Sequence, residues 1–178
     1  MYPPLRSLIL AVACALAAAV ALAGCGGGSS STSGPPQNVS GSGFVFKAPG
    51  KWHVTRTQDR IGASPSPVSN ELVSVSVFPL LRRYTPSLYE LVVSKELNKN
   101  AAQLAAQQHG KVVAAKDVQV AGIKSRQYEI QYERSGKQLG ERITFVFRNK
   151  TEYELLCQWD SKSEPGYCSQ LTSSFRPV

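Results

Sequence analysis

The chain has 178 residues, of which 42% are hydrophobic and 18% charged, with 20 Lys and Arg against 12 Asp and Glu for a net charge of +8. That length holds one domain with a proper core, and no internal repeat is visible. The basic residues are dispersed among predicted strands and form no aromatic-interleaved stripe, which excludes a nucleic-acid grip.

In chain order, a short head with one cation, Arg6, precedes an apolar run from Leu8 to Ala23. The run is shorter than the ~20 residues of a membrane span and fits a removable signal peptide. It ends in Leu22-Ala23-Gly24-Cys25, which resembles the lipobox of bacterial lipoprotein precursors at every position. That resemblance implies cleavage after Gly24 and a diacylglyceryl group on the Cys25 thiol. Cys14 is a poor rival, with Ala11 where Leu is wanted and an apolar run after it. Residues 1–24 are therefore read as leader, and 25–43, rich in Gly, Ser and Pro, as lipidated cysteine plus flexible tether. A tether of that length reaches roughly 20–25 Å. With Arg6 removed, the mature chain carries 19 basic and 12 acidic residues, a net +7.

Residues 44–178 form the predicted domain. Phe44-Val45-Phe46 and Trp52-His53-Val54-Thr55 flank Ala48-Pro49-Gly50 and are expected to pair as a hairpin. The Ser- and Pro-rich stretch from Thr57 to Asn70 is expected to be loop. Leu72 to Val77 alternates with period two and reads as a strand. Thr85-Pro86 is a helix N-cap with proline in the first turn, and Leu88, Leu91 and Val92 begin a helical stripe. That stripe drifts after Leu97, so a bend or break is expected at Asn98-Lys99-Asn100.

A strand from Lys111 to Val120 then leads into three more with short turns, an antiparallel meander. Their apolar phases are Tyr128, Ile130 and Tyr132; Ile143, Phe145 and Phe147; and Tyr153, Leu155, Cys157 and Trp159. Glu164-Pro165 starts a short helix carrying Cys168, Leu171 and Phe175. Once Cys25 is set aside, Cys157 and Cys168 are an even pair in an exported domain and are expected to form a disulfide.

The pattern is α+β: an antiparallel sheet of six or seven strands flanked by helices. It resembles the PsbP-like fold, particularly the LpqN-like lipoproteins of actinobacteria. The resemblance is carried by Gly43-Phe44, Ala48-Pro49-Gly50-Lys51-Trp52, the helix after Pro86, Val118-Val120-Gly122 and Cys168…Leu171…Phe175. It implies binding or accessory work and supplies no catalytic motif.

A search for chemistry supports that expectation. There is no Gly-x-Ser-x-Gly elbow, phosphate loop or His-Glu-x-x-His helix. His53 and His109 lie far apart with no acidic residue at ligand spacing, so no metal or cofactor is expected. Glu129, Glu133, Glu152 and Glu154 fall on polar strand faces, where solvation or cross-strand pairing is the ordinary fate. Tyr128, Tyr132, Tyr153 and Trp159 fall on the apolar phase, as core or, alternatively, as the aromatic lining of a lipid or glycan pocket. The expected protein is a monomer held to the extracytoplasmic face of the cell membrane by its lipid. It would work through an envelope protein or a lipid-like or glycan ligand, without catalysis. The alternatives are an envelope hydrolase with an unrecognised site and a cationic surface protein holding anionic polymer.

Overall fold

The computed structural model describes residues 34–160 and 163–178. The leader, Cys14, the lipidation candidate Cys25 and the tether through position 33 lie outside the described residues.

Two antiparallel sheets dominate. The small one orders β1 (Gln37–Gly41), β2 (Phe44–Ala48) and β10 (Arg176–Pro177) as β1-β2-β10. The large one contains β3 (His53–Arg56), β4 (Arg60–Ser64), β5 (Leu72–Pro79), β6 (Lys111–Val120), β7 (Ile123–Arg134), β8 (Lys137–Arg148) and β9 (Thr151–Trp159). Its spatial order is β3-β4-β5-β9-β8-β7-β6. The helical segments are α1 (Pro86–Leu88), a π-helical turn (Tyr89–Val93), α2 (Ser94–Gln107) and α3 (Gly166–Ser174). The α+β class stands, but helices do not flank a single sheet. One face of the large sheet carries α2, and the other is covered by the small sheet together with α3.

The meander forms as its alternation predicts. Ala121-Gly122 and Ser135-Gly136 have positive φ at both residues, the two-residue turn whose twist matches that of the flanking strands. Thr85 caps the first helical turn, its hydroxyl accepting from the Leu88 amide at 3.3 Å. Cys157 and Cys168 are disulfide-bonded with Cα atoms 5.4 Å apart, tying α3 to β9.

Four local expectations fail for physical reasons. Positions 37–41, expected within the tether, form β1, because Val39 is buried and the strand pairs with β2 from Gln37↔Ala48 to Gly41↔Phe44. Phe44–Phe46 and Trp52–Thr55 do not pair with each other. The Pro49-Gly50 turn carries the chain from the small sheet to the large one, closed by the incoming N-terminal segment: a Cβ on Gly50 would lie 2.0 Å from the Pro35 carbonyl.

The expected loop contains β4, which lacks bulky β-branched residues apart from Ile61 but lies between β3 and β5, with Ala63 buried opposite Val73. Finally, α2 runs unbroken through Asn98. The irregularity lies one to two turns earlier, in the π-helical turn, whose wider winding rotates the apolar stripe onto Leu97, Ala101 and Ala105.

These pieces enclose two cores. Between the sheets, Phe44, Phe46, Val73, Val75, Tyr153, Trp159, Leu171 and Phe175 are buried with the disulfide. Under α2, Tyr128, Ile130, Tyr132, Leu139, Ile143, Phe145 and Phe147 are buried against Leu97, Ala101 and Ala105. Each large side chain so buried stabilises by roughly 1.5–3 kcal/mol.

Candidate functional site

The register of the meander decides which side chains share a face. Tyr128 pairs with Ile143, so the apolar phases of β7 and β8 both point toward α2. Across the next ladder Phe145 pairs with Glu154 and Phe147 with Glu152, whereas Tyr153 opposes Val146 and Trp159 opposes Gly140. The apolar phase of β9 therefore faces the small sheet, and its acidic phase faces the helix side.

The four aromatics consequently divide between the two cores instead of lining one pocket. On the helix side, Tyr128 donates its hydroxyl to Asn98 Oδ1 at 2.6 Å, and the Tyr132 hydroxyl accepts from Gln158 Nε2 at 2.6 Å. On the other side, Tyr153 donates to the Gly43 carbonyl at 3.1 Å and meets Phe175 edge-on, with centroids 5.4 Å apart. Trp159 is buried in that same layer.

What the fold opens instead is a groove of about 480 Å³ beside α2. Ile143, Phe145 and Phe147 line its sheet side, and Leu97, Ala101 and Leu104 line its helix side. The small side chain of Ala101 leaves room between helix and strands. Glu96 and Asn100 stand at the exposed rim, and Glu152 and Glu154, both half-buried, project from β9.

Burial, then the neighbouring charge of Glu154, pushes the Glu152 pKa above the ordinary carboxylate range. Burial does the same at Glu154, opposed by the Arg60 guanidinium. Alternate residues of one strand lie about 6.8 Å apart on the same face, so the two carboxyls stand side by side. An apolar trough bordered by acids favours a ligand with hydrocarbon in the trough and hydroxyls or a cation at the rim.

A polar network fixes the start of the helix that walls the groove. Tyr89, 1% exposed, donates to Asp117 Oδ1 at 2.6 Å, and Arg126 Nη1 donates to the same oxygen at 3.0 Å. Arg126 Nη2 reaches on to Asn98 Oδ1 at 3.1 Å. Burial disfavours the Asp117 carboxylate, but hydrogen bonds from Tyr89, Arg126 and Lys124 outweigh it and hold its pKa below the usual value. Burial and the bond to Asp117 raise the Tyr89 phenol. Asn98, read from sequence as a helix breaker, is thus an anchor of α2 to β7.

Deeper along the helix face, Glu141 is 4% exposed, and burial pushes its pKa up. Gln158 Nε2 donates to it at 3.4 Å. His53 is exposed on an edge strand, and His109 ends α2 with φ 55°. Among the described residues no group of three or more His, Cys, Asp or Glu is arranged to hold a metal ion. Nor, among them, is any helix long and apolar enough to cross a membrane.

Sequence reasoning placed Glu152 and Glu154 on a polar strand face without seeing that the face is partly covered. The available signal was Leu155-Leu156, two consecutive apolar residues in a period-two strand, which require both faces of β9 to be sheltered.

No protein-family model matches the sequence, and no curated protein matches it. Solved structures do. A Bacteroides thetaiotaomicron VPI-5482 protein superposes with a TM-score of 0.56 at 10% identity, over 76% of this chain. This chain spans 45% of that one. Cyanobacterial PsbP (CyanoP) from Synechocystis sp. PCC 6803 matches with a TM-score of 0.63 at 10% identity, over 80% of this chain and 92% of its own. At such identity the likeness speaks for architecture alone, and that architecture is PsbP-like.

Proposed function

We propose that this protein is a lipid-anchored, extracytoplasmic binding domain that holds an amphiphilic ligand in the groove beside α2 in the service of envelope assembly or transport. The observation that carries the reading is the groove itself: an apolar trough of about 480 Å³ lined by Glu96 from α2 and by Glu152 and Glu154 from β9. Its size suits an acyl chain or a small glycolipid moiety. The Leu22–Cys25 lipobox supports anchoring through Cys25, and the LpqN-like resemblance supports an accessory role in an actinobacterial envelope. The domain acts as a monomer without a cofactor.

The test is intact-mass spectrometry of the chain purified natively from membranes, together with analysis of the small molecules that co-elute. An acylated N-terminus at Cys25 and a stoichiometric amphiphile support the reading. An unacylated, uncleaved chain removes the anchor, and an empty groove in the native preparation removes the ligand.

A second reading rests on the same pair of acids. A glycoside hydrolase pairs a protonated carboxyl, as general acid, with an ionised one. Burial favours the protonated form of Glu152, while the Arg60 guanidinium favours the carboxylate of Glu154 against burial. Turnover of envelope glycosides, abolished by Glu152→Gln or Glu154→Gln, identifies that activity.

A further inference from the structure

One end of the large sheet brings together two segments distant in sequence. After β5 the chain continues through Leu80, Leu81, Arg82 and Arg83, and β8 ends at Arg148 before the Asn149-Lys150 turn into β9. The segments are hydrogen-bonded to each other: the Leu80 amide donates to the Lys150 carbonyl at 2.8 Å and the Tyr84 amide to the Asn149 carbonyl at 2.7 Å. Arg83 Nη2 also donates to Asn149 Oδ1 at 3.1 Å. The loop is therefore a fixed surface.

Its composition is unusual. Leu81 is 100% exposed, and Phe78, at the end of β5, is 41% exposed. Arg82, Arg83, Arg148 and Lys150 are all exposed, and none of the four forms an ion pair among the described residues, Arg148 donating through Nη1 to the Pro177 carbonyl at 2.6 Å. No Asp or Glu occurs between Glu71 and Glu90, or between Glu141 and Glu152.

We infer that this end of the domain is a docking surface for an anionic lipid bilayer. The four cations engage headgroup phosphates, and Leu81 enters the interface between headgroups and acyl chains. Charge alone would suit any polyanion. The leucine decides between them, because a fully exposed branched alkyl group amid cations whose charge is not neutralised by an ion pair matches a surface with hydrocarbon just beneath its charge. Docking also has a consequence for the groove. Leu80 lines it, and Glu152 lies two residues beyond Lys150, so the bilayer would meet the groove at that end. A bound amphiphile could then pass between membrane and trough without crossing open water. The docking inference goes beyond the binding reading and does not need the groove to be occupied.

The test uses the full chain, reconstituted into vesicles containing brominated lipid, with Leu81→Trp as reporter. Trp52 and Trp159 are 8% and 3% exposed, so quenching reports position 81. In phosphatidylglycerol vesicles at about 0.1 M salt the introduced indole is expected to be quenched. Near 1 M salt, where the Debye length falls from about 10 Å to about 3 Å, quenching is expected to disappear. Arg82→Glu with Arg83→Glu in the same background removes it at low salt.

An unquenched indole on anionic vesicles that still carry the protein overturns the inference. Equal, salt-insensitive quenching in phosphatidylcholine overturns it too, since the anchor alone would then explain proximity. If the indole is silent on vesicles but responds to inorganic polyphosphate, and the two Arg→Glu changes remove that response, the surface serves a soluble polyanion instead.

Discussion

Trp159 occupies the space that a side chain at Gly140 would need. The two residues are register partners on β9 and β8, and a Cβ on Gly140 would fall 2.2 Å from the indole ring. The ring belongs to a buried layer and has no room to withdraw. Gly140→Ala is therefore expected to destabilise the fold by about 1–3 kcal/mol through overpacking. Chemical denaturation checks this, and an unchanged midpoint would show that the indole swings aside freely.

The Cys157–Cys168 bond closes a short loop with a sequence separation of 11. Replacing both cysteines with serine is expected to cost about 2–3 kcal/mol. Hydrogen exchange should show the loss first in α3, which the bond holds against β9. Uniform loss of protection across both sheets would instead mean that α3 is integral to the cooperative unit.

Glu152 and Glu154 predict a pH dependence with a definite sign. Their folded pKa values lie above the ordinary 4.5, so as pH rises past that value the unfolded chain ionises before the folded one does. Their contribution to stability is thus intact below about pH 4.5 and declines as pH climbs through the folded values. Asp117 runs the other way: its depressed pKa contributes above the ordinary 3.8 and is lost as pH falls below it. Glu152→Gln and Glu154→Gln should each raise Tm by a few degrees at pH 7, with the gain vanishing near pH 4. A gain equal at both pH values would count against burial as its cause.

Asn100 stands on the exposed rim of the groove and packs into neither core. Asn100→Trp is expected to fill the trough from above, removing the amphiphile proposed to bind there while leaving Tm within about 1 °C, as surface changes usually do. Full ligand retention would move the binding site elsewhere.

Tyr89→Phe removes one donor from Asp117 and loosens the start of the groove wall. Because the Asp117 side chain is 39% exposed, water compensates in part, and the expected loss is about 1 kcal/mol. Thermal denaturation checks the magnitude. Weaker ligand binding in the same variant would link the network to the groove.

The elements most legible in the sequence were those whose information is local. Period-two alternation marked β7, β8 and β9, Thr85-Pro86 marked the helix start, and the even cysteine pair marked the disulfide. The failures were non-local. Gly62 and Ala63 carry no strand signal of their own and become strand because β3 and β5 lie on either side. Asn98 reads as a breaker until Tyr128 and Arg126 supply its hydrogen bonds. The groove was hidden for the same reason, since it arises from the β8–β9 register and the offset of α2. Neither is written in any single segment.

The small sheet joins positions 44–45 to positions 176–177, and the Val178 amide bonds to the Gly43 carbonyl at 2.9 Å. Phe175, fully buried, stacks on Phe44 across the same span. Such a closure has very high contact order, so the sheet cannot complete until nearly every residue of the domain is available. A chain emerging N-terminus first would therefore present β1 and β2 early, as an unpaired edge with exposed Phe44 and Phe46. Folding of this domain is a race between that edge finding β10 and finding another molecule.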